Sequence, residues 1–254
     1  MENHQGEEHL VHFGFREITE KEKTARVKDH FDRLASKYDA MNTLMSFGIH
    51  YLWKRAAVRF LDLRAGESVL DVCGGTGDLS VLAVKDVGPS GKVVLSNINC
   101  TMVETGKRKA THASARKQIL HVLSDAELMA LKSNSFDAAI VGFGIRNLVH
   151  IEKGFQEIYR LLKPGGRFVC LEFSRPTRVW FRSLYDLYSF RIMPFVGFIF
   201  LGSYEPFTYL PESIRRFPGP DELSLLLEIV GFRNVTYRML TNGIAAVHRG
   251  EKNA

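Results

Sequence analysis

Apolar residues recur at two different spacings along the chain, and the change in spacing divides it into parts. In residues 20–63 they stand three or four positions apart, as at Val27, Phe31 and Leu34, which predicts helices that form a cap. A loop at Phe47-Gly48 interrupts this helical region. Residues 1–20 are mostly polar and predict an arm ahead of the cap.

After residue 63, short apolar runs alternate with helical patterns. Five of these runs predict strands, at residues 67–73, 93–97, 118–123, 136–141 and 167–173. Helical patterns between them begin at about Asp78 and cover residues 100–113 and 151–162, and Lys-Pro-Gly-Gly stops the last one. Strands that alternate with helices in this way are typical of a doubly wound α/β sheet.

The last part of the chain departs from this alternation. Residues 174–220 are apolar, aromatic and helical in pattern, which predicts a helical insertion. A helix at 222–230 then precedes two apolar runs, at 232–240 and 244–248, which an Asn-Gly turn joins. We therefore predict a seven-stranded, mostly parallel sheet with an antiparallel last strand.

Length and composition limit the class of protein. The 254 residues suit one elaborated domain, which we place at residues 64–254 behind the arm and cap of residues 1–63. Hydrophobic residues make up 45% and charged residues 24%, which excludes a mostly disordered chain. The net charge of +6 is a weak argument for nucleic acid, which we do not expect as a partner. It fits an anionic membrane surface or an anionic cofactor equally well.

Cysteine usage and the chain's first residues indicate a compartment. Cys73, Cys100 and Cys170 form no CxxC pair, which argues against a disulfide framework or a zinc ribbon, and we expect no metal. The polar first residues do not form a secretory signal, so the cytoplasm is expected. The most apolar run, residues 192–202, is shorter than the roughly 20 residues that a spanning helix needs.

A glycine loop follows the first predicted strand of the sheet and opens a helix. The run DVCGGTGD, residues 71–78, has Ser80 where a dinucleotide-binding loop has its third glycine, and no phosphate-binding Lys-Ser/Thr follows. This loop favours a small cationic nucleoside such as S-adenosylmethionine, because its backbone at Gly75, Thr76 and Gly77 lets a ligand approach and the carboxylates of Asp71 and Asp78 lie nearby. A tight turn without a ligand is the alternative.

The ends of the next two strands carry further candidates for cofactor binding. An acid for the ribose hydroxyls is expected about 20 residues after the loop, and that position is Asn97, which lacks the charge. After the third strand, Asp125 is placed to accept from an adenine amino group, and the Ala126 amide to reach a ring nitrogen. The alternative for Asp125 is a helix cap.

Motifs along nearly the whole chain carry a family resemblance. In chain order they are HFGF (12–15), ASKYDAMN (35–42), LMSFGIH (44–50), GGTGD (74–78), DAE (125–127), GFGIRN (142–147), LLKPGGRFVCLEFSRP (161–176), YDLYSF (185–190), YLPESIR (209–215) and LTNGIAAVHRG (240–250). Together they resemble the ubiquinone/menaquinone biosynthesis C-methyltransferase family. The resemblance implies a Rossmann-like class I methyltransferase fold, with S-adenosylmethionine as the methyl donor and a ring carbon of a prenylated benzoquinol or naphthoquinol as the acceptor.

The resemblance also implies a set of cofactor-binding residues. They map onto Thr76, Asn97, Asp125, Ala126 and Gly142. The family usually has aspartate at position 97 and often serine at 142, so both differences remove a polar anchor or its charge. Losing one charge-assisted hydrogen bond weakens binding by roughly ten- to a hundredfold.

Arg146 and Asn147 are the main candidates for the chemistry, because they follow the fourth strand at the edge where such sheets bind ligands. Arg146 can stabilise a phenolate or orient a water, and a plain salt bridge is its alternative. Asn147 can hold the second ring oxygen, and Tyr38 of the cap can hydrogen-bond a quinol oxygen or serve only as a core aromatic. His50 is a candidate base. The lesser candidates are Asn42, Glu172 and Tyr209.

The aromatic insertion and its arginines suggest partners. Residues 174–220 predict either a core layer or a groove for a prenyl tail, and Arg175, Arg178, Arg182 and Arg191 lie beside it for anionic lipid. Peripheral contact with the inner face of the membrane follows, and a homodimer or a quinone-biosynthesis complex is a further partner hypothesis. Two alternatives for function stay open, namely methylation of another lipophilic phenol and a catalytically impaired subunit of such a complex.

Overall fold

The computed structural model describes residues 9–110, 117–202 and 204–254. The chain begins with β1 (Leu10–Phe13), β2 (Arg16–Thr19), α1 (Glu20–Leu34), α2 (Tyr38–Met45) and α3 (Ile49–Leu61). It continues with β3 (Ser68–Val72), α4 (Asp78–Val87), β4 (Lys92–Asn97), α5 (Cys100–Ala110), β5 (Ile119–Leu123), β6 (Phe136–Gly142), α6 (Ile151–Leu161) and β7 (Leu162–Phe173). It ends with α7 (Val179–Leu187), α8 (Met193–Leu201), α9 (Glu205–Arg216), α10 (Pro220–Val230), β8 (Arg233–Leu240) and β9 (Ala245–Glu251). The predicted helix at 100–113 thus matches α5 as far as Ala110, and residues 111–113 lie outside the described residues.

Seven strands form one sheet in the order β5-β4-β3-β6-β7-β9-β8. The first five in that order are parallel, and β9 runs antiparallel to both β7 and β8. The chain moves outward from β3 to β4 and β5, then crosses back to β6 and β7, so its direction reverses between β3 and β6. The predicted seven-stranded sheet with an antiparallel last strand is confirmed.

Helices cover both faces of the sheet, which explains why its inner strands are apolar on both sides. On one face α3 and α4 pack with the sheet into a core that includes Trp53, Leu61 and Val69. On the other face α6 and α10 pack around Phe155 and Phe168. Because α3 contributes side chains to the core beside the sheet, this cap helix is also part of that core. The boundary between residues 63 and 64 stays a prediction.

The first described residues form a hairpin, so the expectation of a polar arm is wrong for residues 10–19. β1 and β2 pair antiparallel, with Phe13 opposite Arg16. Phe13 and Ile18 are buried against Tyr209 of α9. Phe15 N also donates to Glu212 Oε2 at 3.2 Å, and Gly14 lies so close to Glu212 that a Cβ would come within 2.2 Å of the same oxygen. These contacts therefore hold the hairpin against α9.

In its described residues the predicted insertion contains α7, α8 and α9 after β7, and a π-helical segment, Tyr188–Ile192, links α7 to α8. Within the described residues, no helix combines the length and the apolar character needed to cross a membrane. The two last strands follow the insertion and α10, and Thr241–Gly243 joins them with Asn242 at φ +54°. The predicted turn between these strands is confirmed.

Candidate active site

The glycine loop between β3 and α4 is built from left-handed backbone conformations. Cys73, Gly75 and Gly77 have φ of +53°, +56° and +85°. A Cβ at Gly74 would lie 2.6 Å from Leu95 Cγ, so only glycine lets the loop pack this closely against β4. The loop lies at the carboxyl end of β3, where the sheet changes winding direction, which is the usual place for ligands in such sheets.

A cavity of about 460 Å³ opens beside this loop and is called the loop cavity below. Predicted site residues that line it are Tyr38, Gly75, Asn97, Asp125, Ala126, Gly142 and Asn147. Asp71, Thr76 and Gly77 are not among its lining residues, and Asp71 and Thr76 are buried. The direct ligand contacts expected of all these residues stay predictions.

The Asp71 carboxyl is fully buried at the end of β3. Ser80 Oγ donates to its Oδ2 at 2.6 Å, and its Oδ1 has no hydrogen-bond partner among the described residues. Burial raises the pKa of Asp71 to about 7, against the lowering effects of the Ser80 bonds and the Lys54 charge. Its negative charge is therefore only partly present at neutral pH.

Two side-chain contacts join the cap helices to the glycine loop. Thr76 Oγ1 donates to Asp39 Oδ1 at 2.7 Å, and Lys54 Nζ lies 2.6 Å from Asp78 Oδ2 in a largely buried ion pair. Asp78 also begins α4, where a carboxylate interacts favourably with the helix dipole. The cap therefore holds the loop in place through the hydroxyl of Thr76.

Asn97 has a single acceptor oxygen in its side chain, and that oxygen already accepts one hydrogen bond. Its Oδ1 accepts a hydrogen bond from Asn99 N at 2.8 Å. The other end of the amide is an NH2 group, which can donate but not accept. An aspartate would have a second, charged oxygen available there.

Helix α1 forms one wall of the loop cavity, through residues that include Glu20 and Phe31. Lys23 Nζ donates to Leu148 O at 2.6 Å, and His150 Nε2 lies 3.2 Å from Glu20 Oε1. These contacts fasten α1 across the cavity. The apolar spacing predicted the helix but gave no signal of its polar contacts, since their partners lie more than a hundred residues away.

A second cavity, of about 450 Å³, lies between the cap and the insertion and is called the apolar cavity below. Predicted residues among its lining are Tyr38, Asn42, His50, Arg146 and Tyr209. Phe31, Tyr38 and Phe143 line both cavities. Ligands in the two cavities would therefore meet at this shared wall.

Arg146 brings a buried positive charge into the apolar cavity. Its Nη1 donates to Glu172 Oε1 at 2.8 Å and to Phe143 O at 2.5 Å, and the two side chains are only 9% and 2% exposed. Its Nε is buried and has no hydrogen-bond partner among the described residues. The salt bridge and the place in the cavity are thus both present, and Nε is a buried donor without a partner among the described residues.

Asn147 faces the loop cavity, whereas Tyr209 faces the apolar one. Burial raises the pKa of Tyr209 to about 12, so its hydroxyl keeps its proton and donates to Asn147 Oδ1 at 3.0 Å. The Asn147 Nδ2 is buried without a partner among the described residues. The Tyr209 ring stacks on Phe13 at 4.2 Å, so the hairpin supports this pair.

His50 has a defined tautomer in its neutral form. Ser46 Oγ uses its single proton in a 2.6 Å bond to Asn42 O. In the 2.7 Å contact between Ser46 Oγ and His50 Nδ1, the donor must therefore be Nδ1–H. This leaves the lone pair on Nε2, but the role of His50 as a base stays a prediction.

The residues of the loop cavity fit S-adenosylmethionine. Carboxylates of Glu20, Asp125 and Glu127 line it together with Lys21, Lys28 and Lys153, so charges of both signs are present for a ligand that carries a carboxylate beside its sulfonium. Asn147 Nδ2, a donor without a partner among the described residues, lies in its wall. A Cβ at Gly142 would come within 2.7 Å of Leu79 Cδ1, so the larger residue common in the family would require Leu79 to move.

Comparisons with known proteins agree on one family. A model of the ubiE/COQ5 methyltransferase family matches residues 18–252. A protein of Methylococcus capsulatus named ubiquinone/menaquinone biosynthesis C-methyltransferase UbiE is 46% identical over 245 residues, or 96% of this chain and 99% of that protein. A protein of the same name from Escherichia fergusonii is 43% identical, over 95% of this chain and 96% of that one.

Solved structures with the same fold are more distant in sequence. A SAM-dependent methyltransferase of Thermotoga maritima, described as a possible histamine N-methyltransferase, superposes with a TM-score of 0.62 at 21% identity, covering 89% of this chain and 99% of that one. The [4+2]-cyclase SpnF superposes with a TM-score of 0.66 at 13% identity, over 90% and 95% of the two chains. These similarities confirm the Rossmann-like class I methyltransferase fold. The family match over almost the whole chain goes further, and the chain belongs to the ubiE/COQ5 methyltransferase family.

Proposed function

We propose that this chain transfers a methyl group from S-adenosylmethionine to a ring carbon of a prenylated quinol in ubiquinone or menaquinone biosynthesis. The observation that carries the proposal is the pair of cavities that share Phe31, Tyr38 and Phe143, with a buried arginine in the apolar one. Asn97, Asp125, Ala126 and Gly142 would hold the cofactor, which supplies the sulfonium methyl when bound.

Arg146 would activate the acceptor ring. A quinol carbon becomes nucleophilic when a ring hydroxyl ionises, but such a phenol has a pKa near 10, like that of tyrosine. A guanidinium next to the oxygen in a cavity of low dielectric stabilises the phenolate strongly. Glu172 holds the guanidinium in place through Nη1, at the wall of the apolar cavity. The proton then leaves to water or to a base such as His50.

Tyr38 and Asn147 would position the ring. Tyr38 lines both cavities and so lies where the acceptor and the donor approach each other. Asn147 is tied to Tyr209, which orients its amide toward a ring oxygen or the cofactor. Holding two reactants in a reactive geometry supplies a large share of the rate in a transfer of this kind.

The surface of the insertion suits a membrane that contains the prenyl tail. Trp180, Phe195 and Phe200 of α7 and α8 are 65%, 57% and 52% exposed, and Leu187 and Ile192 of the apolar cavity are exposed beside them. Arg178, Arg182 and Arg191 are exposed as well. This combination favours anionic lipid as the partner, at the cytoplasmic face of the membrane.

The membrane proposal predicts binding to lipid vesicles that depends on both surface features. We expect sedimentation of the protein with anionic vesicles, and loss of about tenfold in affinity for Trp180→Ser with Phe200→Ser, since apolar area and charge both contribute. Leu225→Ser with Ile229→Ser removes comparable exposed side chains from α10 and is the matched control. Equal binding to neutral vesicles, or equal loss in the control, would contradict the proposal.

Calorimetric titration of S-adenosylmethionine tests the proposed function first. We expect the Asn97→Asp variant to bind roughly ten- to a hundredfold more tightly than the parent, because the carboxylate adds a charge-assisted acceptor. Ser90→Asp adds the same charge on the exposed loop before β4 and should change nothing.

The affinity of the parent protein for S-adenosylmethionine distinguishes an active enzyme from a catalytically impaired subunit. Micromolar affinity of the parent, about −8 kcal/mol, followed by methylation of a reduced prenyl quinol, would support the proposed function. Absence of binding by the parent, with binding restored in Asn97→Asp, would support the alternative of a catalytically impaired subunit. Methylation of other lipophilic phenols at equal kcat/KM would support the alternative acceptor.

A further inference from the structure

His30 lies on α1 where the apolar cavity approaches the shared wall. Its ring makes edge-on contacts with Phe31, at 5.2 Å, and with Tyr209, at 5.4 Å. Phe31 belongs to both cavities, and Tyr209 bonds Asn147 of the loop cavity. His30 is therefore close to the end of the cavity that would receive the acceptor ring.

The imidazole of His30 has no hydrogen-bond partner among the described residues, whereas several other polar groups of the apolar cavity have one. Arg146 is bonded to Glu172, Tyr209 to Asn147, and Tyr188 to Met45 O. The contacts of His30 with the described residues are ring contacts, without a hydrogen bond to either nitrogen. A neutral imidazole has one N–H donor and one lone pair, and here a ligand or water must satisfy both.

The charge state of His30 suits recognition better than proton transfer. Burial and the nearby Arg146 guanidinium lower the pKa of His30 to about 4, although Asp29 acts in the opposite direction and Arg33 adds to the lowering. The ring is thus neutral at physiological pH, and a weak base of this kind is poorly matched to a phenol. It retains full capacity to donate and accept a hydrogen bond.

We propose that His30 is a specificity-determining residue of the acceptor cavity, whose imidazole hydrogen-bonds an oxygen substituent on the acceptor ring. The inference rests on the proposed function and names the acceptor class, a prenylated benzoquinol that carries a methoxy or hydroxyl group. A naphthoquinol presents a fused hydrocarbon ring at that edge, which would cover the imidazole without bonding it. A site with a buried polar group discriminates against a ligand that leaves the group unpaired.

The test compares two reduced acceptors with the full chain and saturating S-adenosylmethionine. One is a methoxy-substituted prenyl benzoquinol and the other a prenyl naphthoquinol with the same tail. For His30→Val we expect kcat/KM for the benzoquinol to fall by about ten- to a hundredfold, mainly through KM, with that for the naphthoquinol unchanged or raised. His30→Asn keeps a donor and an acceptor and should restore part of the preference. Met45→Leu, also in the apolar cavity, is the control for altered packing.

Two results would overturn the proposal. One is an unchanged ratio of the two kcat/KM values in His30→Val, and the other is an equal fall for both acceptors, which indicates a merely structural role.

A binding measurement separates this inference from the proposed function. Trp53 lies in the wall of the apolar cavity, so quenching of its fluorescence reports acceptor binding without turnover. If the parent methylates neither acceptor, the proposed function fails. In that case the ratio of the two Kd values still tests the role of His30. A preference of the parent for the benzoquinol that disappears in His30→Val supports the role, and an unchanged ratio contradicts it.

Discussion

Replacing Arg146 with methionine is expected to reduce kcat for quinol methylation by about 10²–10³-fold, the usual effect of removing one donor that stabilises a developing oxyanion. The affinity for S-adenosylmethionine should change little, because Arg146 lines the apolar cavity and not the loop cavity. Steady-state kinetics and calorimetry on the same preparation measure the two effects. Arg233→Met, at an exposed position of β8, is the matched control.

The Arg146 substitution also leaves Glu172 without its ion-pair partner in the core. An isolated buried carboxylate costs about 3–5 kcal/mol of stability, so denaturant unfolding must accompany the kinetics. In the double variant Arg146→Met with Glu172→Gln, the uncompensated charge is gone. We expect its stability to recover while its kcat stays low. Recovery of kcat together with stability would show that Arg146 acts only through the fold.

Replacing Asp71 with asparagine is expected to stabilise the protein at pH 8 and to have little effect at pH 4. In the folded state burial raises the pKa of Asp71 from 3.8 to about 7, so ionisation is costlier there than in the unfolded chain. The contribution of this carboxyl to stability is therefore largest below pH 4 and is lost as the pH rises to 7. The difference corresponds to at most about 4 kcal/mol.

Urea unfolding of Asp71→Asn and the parent between pH 4 and pH 8 measures this linkage. Asparagine keeps an oxygen that can accept from Ser80 Oγ, so the packing should survive. Asp86→Asn changes an exposed carboxyl of α4 and should leave the difference from the parent nearly constant with pH. A stability difference between Asp71→Asn and the parent that is equal at pH 4 and pH 8 would contradict the assignment.

The sheet was predictable because its signals are local. Each strand is a short apolar run next to a turn, and alternation with helices fixes the parallel arrangement. The β1–β2 hairpin was missed because its few apolar residues become a core only when Phe13 reaches Tyr209, almost two hundred positions later. Chain pattern alone carries no information on such a contact.

The part of the site that lies at the carboxyl ends of the parallel strands was predictable, because these ends meet at one edge of the sheet. Asn97, Asp125 and Gly142 line one cavity because they end or follow β4, β5 and β6 at one edge of the sheet. The division of Arg146 and Asn147 between two cavities was not predictable, since it depends on where α9 places Tyr209. His30 lies on a helix whose apolar pattern predicts only a buried stripe, so its place in the cavity appears only in three dimensions.

The wall formed by Phe31, Tyr38 and Phe143 has a thermodynamic consequence. Asp39, the neighbour of Tyr38, bonds Thr76 of the glycine loop, so a ligand that orders this wall from one side also orders it for the other. Any factor by which bound quinol strengthens the affinity for the methyl donor must equal the factor by which the donor strengthens the affinity for quinol. The same reciprocity applies to the affinities of the two products, so the factor by which methylated quinol changes the affinity for the demethylated donor equals the factor for the reverse.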